Sequence, residues 1–400
     1  MTERAGDSAR ESASPAAANE RSGTAYAPIA VTVYPSFEAL PDRFAAFLDA
    51  SGGRNFFQSM AWYRAVLRAS GPRTDQPRIY AAECRGQPAA VLVARERQAA
   101  GKLKSHMLLG PSHGLYAMAY APRLDPETGA AGLRAIAAEI ARRASPPLDM
   151  LRFDSLDPAP PEFAAFTAAW RAAGMLVQRF RQLDRFYADV EGLTLETYLA
   201  RLPVPLQTSF ARLQRRWARS GRGRFEMVTG GPELKSALID YALVDLQSRA
   251  DAEPYPLCVA EVAQAAAHAG ALRLGTYRVD DTPAAAQIWI VSGGTATLWR
   301  SHHARKFAPL AVGPTLTQEM LRHILAVDRV REIDFGIDNA LRCRPFIEGH
   351  ERVGLLAFNT RTPKGWLGAG RHIGGHAALS TARLLRQRLR RVRQSLRSGR

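Results

Sequence analysis

The chain has 400 residues, of which 46% are hydrophobic, and a formal net charge of +17. This length predicts two domains of ordinary size, and no transmembrane helix is predicted because no stretch reaches 18 apolar residues. Three cysteines, Cys84, Cys258 and Cys343, lie far apart without metal-ligand spacing, which favours a reducing, cytoplasmic setting.

The positive charge is concentrated at the C-terminus. Residues 352–400 contain twelve basic and no acidic residues, and subtracting these from +17 leaves +5 for the first 351 residues. Residues 1–27 are rich in Ala, Ser, Glu and Arg without apolar periodicity, so we expect a disordered N-terminus that is no signal peptide. The composition thus predicts an ordinary globular body with a basic appendage.

The order of predicted elements repeats once along the chain. Residues 28–192 predict strand, two helices, strands, helix, strand, helix and strands, with two short strands over 175–190. Residues 193–364 repeat this order and begin with a helix over 195–220. No repeat is visible in the letters themselves. We therefore predict an α+β fold with domains at 28–192 and 193–364 and a tail at 365–400.

The second predicted domain contains the most informative stretch. The apolar run Ala284–Val291 predicts a buried strand, and Thr295–His302 predicts its hairpin partner. A helix is predicted to begin at Gly313-Pro314, with Gly313 as N-cap and Pro314 at the first helical position. Arg331–Phe335 predicts a short strand after that helix.

A helix N-terminus placed between strands suits a phosphorylated cofactor. Its free backbone N–H groups and the positive end of the helix dipole can hold a pyrophosphate. The alternative is that such a junction occurs in any α+β protein and binds nothing.

The hairpin TPAAAQIWI, the loop LAVGPTL that opens the helix TLTQEMLRHIL, and the following REIDFG occur in this order within residues 206–346. They resemble the cofactor-binding half of the GNAT acyltransferase superfamily and, more closely, its FemAB-like/CelD-type branch. The resemblance implies two tandem GNAT-like domains, each with a mixed, mainly antiparallel sheet flanked by helices. It also implies acyl-CoA as co-substrate, bound by Leu310, Ala311, Val312, Gly313 and Thr315, and no metal.

Three side chains are the candidates for catalysis. Asp334 and Asp338, at the end of the REIDF strand, are the carboxylates nearest the expected acceptor site, and His302 ends the neighbouring strand. Acyl transfer from a thioester needs a base or water chain and donors for the developing oxyanion. The alternatives are that Asp338 caps a turn with Asn339 and that His302 is a surface residue.

The expected function is transfer of an acyl group, most simply acetyl, from acyl-CoA to an amine or hydroxyl of a small molecule or saccharide precursor. An aminoacyl-tRNA or acyl-carrier donor is the second hypothesis. A non-catalytic GNAT-like binding scaffold is the third, because the Tyr-Lys pair that often follows in the branch is absent, although Arg342 or Arg344 could supply its charge.

Two basic segments have open interpretations. Around residues 206–219, four arginines lie off the apolar face of a predicted helix, and they form either a wall facing phosphate or a solvated face. Residues 376–396 place an apolar stripe on a basic helix. An anionic membrane surface would bind such a helix and hold a cytoplasmic enzyme at the inner membrane. Nucleic acid is the rival partner, and a packed or solvated tail is the alternative.

Overall fold

The computed structural model describes residues 28–50, 55–69, 72, 74–98, 105–112, 118–143, 146–248, 255–336 and 348–372. The predicted disordered segment 1–27, the basic segment 376–396 and the candidate Asp338 lie outside the described residues, as do Arg342 and Arg344.

The first half of the chain contains both strands and helices and begins with a strand. Its elements are β1 (Ile29–Tyr34), α1 (Asp42–Asp49), α2 (Met60–Ala69), β2 (Gln76–Cys84), β3 (Gln87–Gln98), β4 (His106–Leu109), β5 (Arg123–Leu124), α3 (Gly129–Arg142), β6 (Met150–Leu156), α4 (Pro161–Ala172) and β7 (Met175–Asp189).

The second half begins with helices and then repeats the strand and helix order. Its elements are α5 (Leu195–Ala200), α6 (Val204–Ser220), β8 (Gly223–Val228), α7 (Leu234–Ser248), α8 (Pro256–His268), β9 (Leu272–Val279), β10 (Thr282–Ser292), β11 (Thr295–His303), α9 (Val312–His323), β12 (Glu332–Asp334) and β13 (Glu348–Asn359). A final helix, α10, covers 363–372.

The described strands form one sheet that runs through both halves. Its order is β1-β2-β3-β4-β6-β13-β7-β12-β11-β10-β9-β8, with β5 paired to β3. Most neighbours are antiparallel, and the pairs β4–β6 and β11–β12 are parallel. Each half therefore contributes one parallel pair to a mainly antiparallel sheet, as the predicted fold class requires.

The last strand crosses from the second half of the sequence into the first half of the sheet. β13 lies between β6 and β7, antiparallel to both, and pairs with β7 from Glu348↔Tyr187 to Asn359↔Met175. On its other edge, β7 pairs with β12 through Tyr187–Asp189. β7 and β13 thus connect the two halves through backbone hydrogen bonds.

The apolar side chains form a core on each face of the sheet. The larger core runs through both halves and includes Phe153 and Trp170 of the first and Val244 and Ile288 of the second. On the opposite face, a second core joins α9, α5 and the buried side of β10 and β11. Helix α9 is thereby fixed against the sheet of the second half.

Three predictions made from local sequence differ from the structure. Residues 175–190 form one strand of 15 residues instead of two, because β13 supports β7 along most of its length. The helix predicted over 195–220 is two helices, since Pro203 supplies no N–H donor to continue α5. Helix α8 was not predicted at all.

Helix α10 crosses the predicted boundary at residue 364. Ala369 packs in a small core with Leu356 and Phe358 of β13, so residues up to 372 belong to the packed body. Within the ranges described, no helix is both long and apolar enough to cross a bilayer.

Candidate active site

The parallel pairing of β11 with β12 is short. They pair at Thr295↔Glu332, Ala296↔Ile333 and Thr297↔Asp334, where β12 ends while β11 continues to His303. On the other side of β11, Leu298 pairs with Trp289 and Arg300 pairs with Ile288, which leaves Trp299 as an extra residue. Such a bulge bends its strand away from the ladder. Beyond Thr297, β11 therefore has no ladder partner on the β12 side among the described residues.

The N-terminus of α9 lies in the segment that follows β11. A 3-10 helix (Arg305–Leu310) leads to Ala311, whose left-handed backbone (φ 53°, ψ 40°) starts α9 at Val312. The predicted N-cap at Gly313 was therefore wrong by two residues, and Pro314 is the third helical residue. The N-cap residue Ala311 makes no side-chain hydrogen bond to this terminus. Its first N–H groups are thus available to a ligand or to water.

The structure brings the five predicted cofactor residues together in this one turn. Val312 and Thr315 are buried, so their side chains serve the core, and Thr315 donates both its N–H and its hydroxyl to the Ala311 carbonyl. Any contact with a cofactor would come from the backbone of the turn and from Gly313. The cofactor role of the five residues stays a prediction.

In the first half, a carboxylate lies in the turn that leads into the corresponding helix, α3, although its N-cap residue Thr128 makes no side-chain cap hydrogen bond. Asp125 Oδ1 accepts hydrogen bonds from the N–H groups of Glu127 (3.1 Å) and Thr128 (2.9 Å) and from the Thr128 hydroxyl (2.8 Å). The bond from the Thr128 backbone lowers the pKa of Asp125. An internal carboxylate therefore binds the N–H groups of the turn just before α3.

In the first half, the position beyond the parallel pair of β4 and β6 is also occupied. Beyond the end of β4, Tyr120 forms a parallel bridge with Leu156 of β6, and its hydroxyl donates to the Val93 carbonyl at 2.9 Å. The first half therefore has a carboxylate in the turn before its helix and a bridge beyond its parallel strand pair, and no counterpart of either is described in the second half.

The basic face of α6 approaches the start of α9. Arg216 Nη1 lies 3.5 Å from the carbonyl oxygen of Pro309, two residues before Ala311. Arg212, Arg215 and Arg219 are exposed beside it. The apolar face of α6, with Leu206, Phe210 and Trp217, packs on the core that holds α9. Both interpretations of the four arginines remain open, and the structure places Arg216 beside the segment that leads to α9.

A polar cavity of about 210 Å³ lies where β7, β11, β12 and β13 meet. Residues from both halves of the chain line it, and most of them are polar or charged. They include Asn55, Met118, Asp157, Arg185, Tyr187, Ser292, Thr295, Thr297, Glu332, Asp334, His350 and Arg352. We call it the junction cavity.

Asp334 enters this cavity as the partner of Arg185. Its Oδ2 accepts from Arg185 Nε at 2.9 Å and Nη2 at 2.5 Å, and its Oδ1 accepts from the Gly336 N–H at 2.8 Å. Burial lowers the pKa of Arg185, but the Asp334 carboxylate outweighs it and the pKa is raised overall. This geometry favours a counter-ion role, while the predicted catalytic role of Asp334 stays a prediction.

Glu332 is a carboxylate of the junction cavity that the sequence analysis missed. Its Oε1 accepts a hydrogen bond from the Thr295 hydroxyl at 3.3 Å. Burial, and then the charge of Asp334, raises its pKa against the opposing effects of that hydrogen bond and of His350 and Arg352. Because side chains alternate along a strand, Glu332 lies on the same face as Asp334, and this alternation in REIDF was the available signal.

His302 is not brought together with Asp334. Its Nε2 lies 3.5 Å from Asp245 Oδ1, its Nδ1 lies 3.4 Å from Ser248 Oγ, and its ring packs on Tyr241. These partners belong to α7, away from the junction cavity. Among the residues that the structure describes, no group of three or more His, Cys, Asp or Glu side chains could hold a metal ion.

Comparison with known proteins agrees with this architecture. A family model described as an acetyltransferase (GNAT) domain matches residues 206–344. The crystal structure of FemX aligns over 80% of this chain and 96% of its own, with a TM-score of 0.56 and 10% identity. A conserved protein of unknown function from Bacteroides thetaiotaomicron aligns over 82% of this chain and 100% of its own, with a TM-score of 0.52 and 10% identity.

At such low identity these two likenesses show the fold. No curated protein sequence matches the chain significantly. The matched GNAT domain covers helix α9 and the parallel strands β11 and β12, and the order of elements repeats in the first half. Residues 206–344 therefore match a GNAT acetyltransferase domain, and the chain as a whole has a fold similar to that of FemX, with the element order of the matched domain repeated in its first half.

Proposed function

We propose that the protein transfers an acyl group, acetyl in the simplest case, from acyl-CoA to an amine or hydroxyl of a small molecule or saccharide precursor. The observation that carries this proposal is the contrast between the two halves. At the start of α9 the N-cap residue Ala311 makes no side-chain hydrogen bond, whereas Asp125 binds N–H groups of the turn just before α3. The CoA pyrophosphate would take the place that Asp125 fills in the first half.

The remainder of the donor would follow the same elements. Beyond Thr297, β11 has no ladder partner towards β12 among the described residues, so its backbone can hydrogen-bond the pantetheine amides. Arg216 and its neighbours on α6 would face the phosphates of the nucleotide end. An acyl-carrier or aminoacyl-tRNA donor would use the same turn, and the arginines of α6 are the observation that favours it as the second candidate.

Calorimetry with acetyl-CoA tests the donor site. We expect Gly313→Asp to weaken binding more than tenfold, about 1.4 kcal/mol, because it adds a negative charge beside the pyrophosphate. Gly313→Ala is the matched control, since an added Cβ meets the His303 ring only at an ordinary 3.5 Å. Equal affinity of the two variants would contradict the placement. A wild-type protein that binds neither CoA nor acetyl-CoA would favour the carrier, tRNA or scaffold alternatives.

Localisation at the inner membrane surface is a finer proposal that depends on residues 376–396. We expect the full chain to float with anionic liposomes, because each arginine near an anionic surface contributes about 1 kcal/mol of binding free energy. A chain that ends at His372 lacks these arginines and should not float with the liposomes. The end at His372 keeps α10 intact. Equal flotation of both chains, or equal binding to neutral liposomes, would exclude this role of the tail.

A further inference from the structure

A second pocket lies at the opposite end of the first half from the junction cavity. It is lined by His106 at the start of β4, by Asp149 just before β6 and by Asn359 at the end of β13. The junction cavity lies at the other ends of β6 and β13, at Asp157 and Arg352. Since β6 has 7 residues at about 3.3 Å each, about 20 Å separate the two sites. We call the second one the basic pocket.

The lining of the basic pocket carries an excess of positive charge. Four permanently charged cations line it, namely Arg142, Arg143, Arg361 and Lys364. The one carboxylate among the described lining residues is that of Asp149, which is buried and whose Oδ2 accepts the backbone N–H of His106 at 2.8 Å. The net charge of the lining is therefore +3 when His106 is neutral.

A buried carboxylate behind the lining, that of Glu96, does not cancel this excess. It lies 2.6 Å from Arg78 Nε, 3.1 Å from Arg143 Nη1 and 2.5 Å from His106 Nε2. Glu96 and Arg78 carry opposite charges, so that together they leave the total at +3. The positive charge of the pocket is therefore unbalanced in both layers of side chains.

Two of the lining arginines have no acidic partner. Within the described ranges, no carboxylate lies within ion-pair distance of Arg142 or Arg361, and both are exposed. Arg361 Nη1 donates to the Ala173 carbonyl at 2.9 Å, and its backbone N–H donates to Asn359 Oδ1 at 3.1 Å. Asn359 in turn donates to the Leu148 carbonyl at 2.8 Å. The Arg361 guanidinium is thus positioned in advance, which lowers the entropic cost of binding an anion.

We propose that the basic pocket binds the phosphate group of a small organic phosphate, with Arg142 and Arg361 as its guanidinium contacts. A guanidinium group can donate two parallel hydrogen bonds to phosphate oxygens, and a concave site of one sign concentrates ions of the other. The volume of about 620 Å³ falls within the roughly 300–1,000 Å³ of small-molecule sites. This inference goes beyond the proposed acyl transfer, because a ligand about 20 Å from the junction cavity is not its reactant.

The rest of the lining suits an organic phosphate better than a bare ion. Its apolar part would contact the organic body of the ligand and consists of Ala141, Pro146, Pro147 and Pro363. The start of α10 is already capped, since the Thr362 hydroxyl accepts the Gly365 N–H at 3.0 Å. Side chains therefore supply the recognition in this pocket.

Calorimetry on the full chain at about 0.15 M salt tests the pocket. The probes are inorganic phosphate, glycerol 3-phosphate and glucose 6-phosphate, with glycerol and glucose as uncharged counterparts. We expect binding of the phosphates only, and tighter binding of the two organic ones. Arg142→Gln/Arg361→Gln is expected to weaken it at least tenfold. Arg134→Gln/Arg171→Gln removes two exposed arginines of α3 and α4, and this matched control should bind as the wild type does.

Two further arms of the experiment identify the ligand and guard against misfolding. Dihexanoyl phosphatidic acid, used below the concentration at which it forms micelles, distinguishes a lipid headgroup from a soluble phosphate. Affinity equal to that of glycerol 3-phosphate assigns a soluble ligand, and tighter binding that the pocket variant loses assigns a lipid. Arg142→Gln alone replaces the double variant if that variant unfolds, because the Arg142 side chain makes no hydrogen bond within the described ranges.

The outcomes that overturn the proposal differ from those that test the donor site. Absence of binding by all three phosphates, or equal affinity of the pocket variant and its control, excludes a phosphate site here. Gly313→Asp should leave glucose 6-phosphate binding unchanged, and a loss in that variant would instead place the phosphate at the start of α9. Failure of the wild type to bind acetyl-CoA would overturn the proposed function and leave this inference standing.

Discussion

Arg185→Met is expected to lower the free energy of unfolding by about 3–5 kcal/mol, the usual cost of removing one partner from a buried ion pair. Arg185 and Asp334 are both buried, and two guanidinium nitrogens donate to one carboxylate oxygen. Methionine keeps much of the apolar stem but leaves Asp334 charged without its cation. Urea unfolding measures the loss. Arg181→Met, at a largely exposed arginine of the same strand, is the control and should change stability little.

The double variant Arg185→Met/Asp334→Leu distinguishes a counter-ion from a catalytic carboxylate. Replacing both partners with apolar side chains is often neutral, so we expect most of the lost stability to return. If Asp334 also takes part in the chemistry, turnover should stay low although stability recovers. If Arg185→Met alone lowers the free energy of unfolding by less than about 1 kcal/mol, the buried-pair account is contradicted, because exposed ion pairs contribute that much.

Patterns within short stretches predicted much of the second half. The apolar run that forms β10 and the hairpin with β11 depend on neighbours along the chain, and both were placed correctly. The helix after them was also predicted, but its start was not, because Ala311 adopts a left-handed conformation that no local signal required. Side-chain alternation would have added Glu332 to Asp334 had it been applied to REIDF.

The junction cavity could not be predicted in the same way. Asp157, Arg185, Glu332 and Arg352 come from four places in the sequence, and only the pairing of β7 with β12 and β13 brings them together. That pairing depends on register between strands more than 140 residues apart, which a single sequence does not reveal. Asp334 was therefore recognised as a carboxylate near the site while its partner Arg185 was not.

A fragment that contains residues 28–192 alone is expected not to fold as an independent domain, although the sequence predicts a boundary at residue 192. In the intact chain β13 fills the space between β6 and β7, and Val353, Leu355 and Ala357 are buried in the larger core. Without β13 two strands inside the sheet lose their ladder partners and expose apolar surface. Circular dichroism, size-exclusion chromatography and urea unfolding should show an aggregated or non-cooperative chain.

The register of β13 supplies the control for this prediction. Glu348 pairs with Tyr187 in an antiparallel arrangement. The end of β7 and the start of β13 therefore lie side by side, as the two strands of a hairpin would. Joining residue 190 to residue 347 through a short Gly-rich turn would restore β13 and α10 to the first half. This fused fragment, 28–190 followed by 347–372, is expected to unfold cooperatively where the shorter one does not. Cooperative unfolding of 28–192 alone would instead show that the first half is autonomous and that β13 only ties the second half to it.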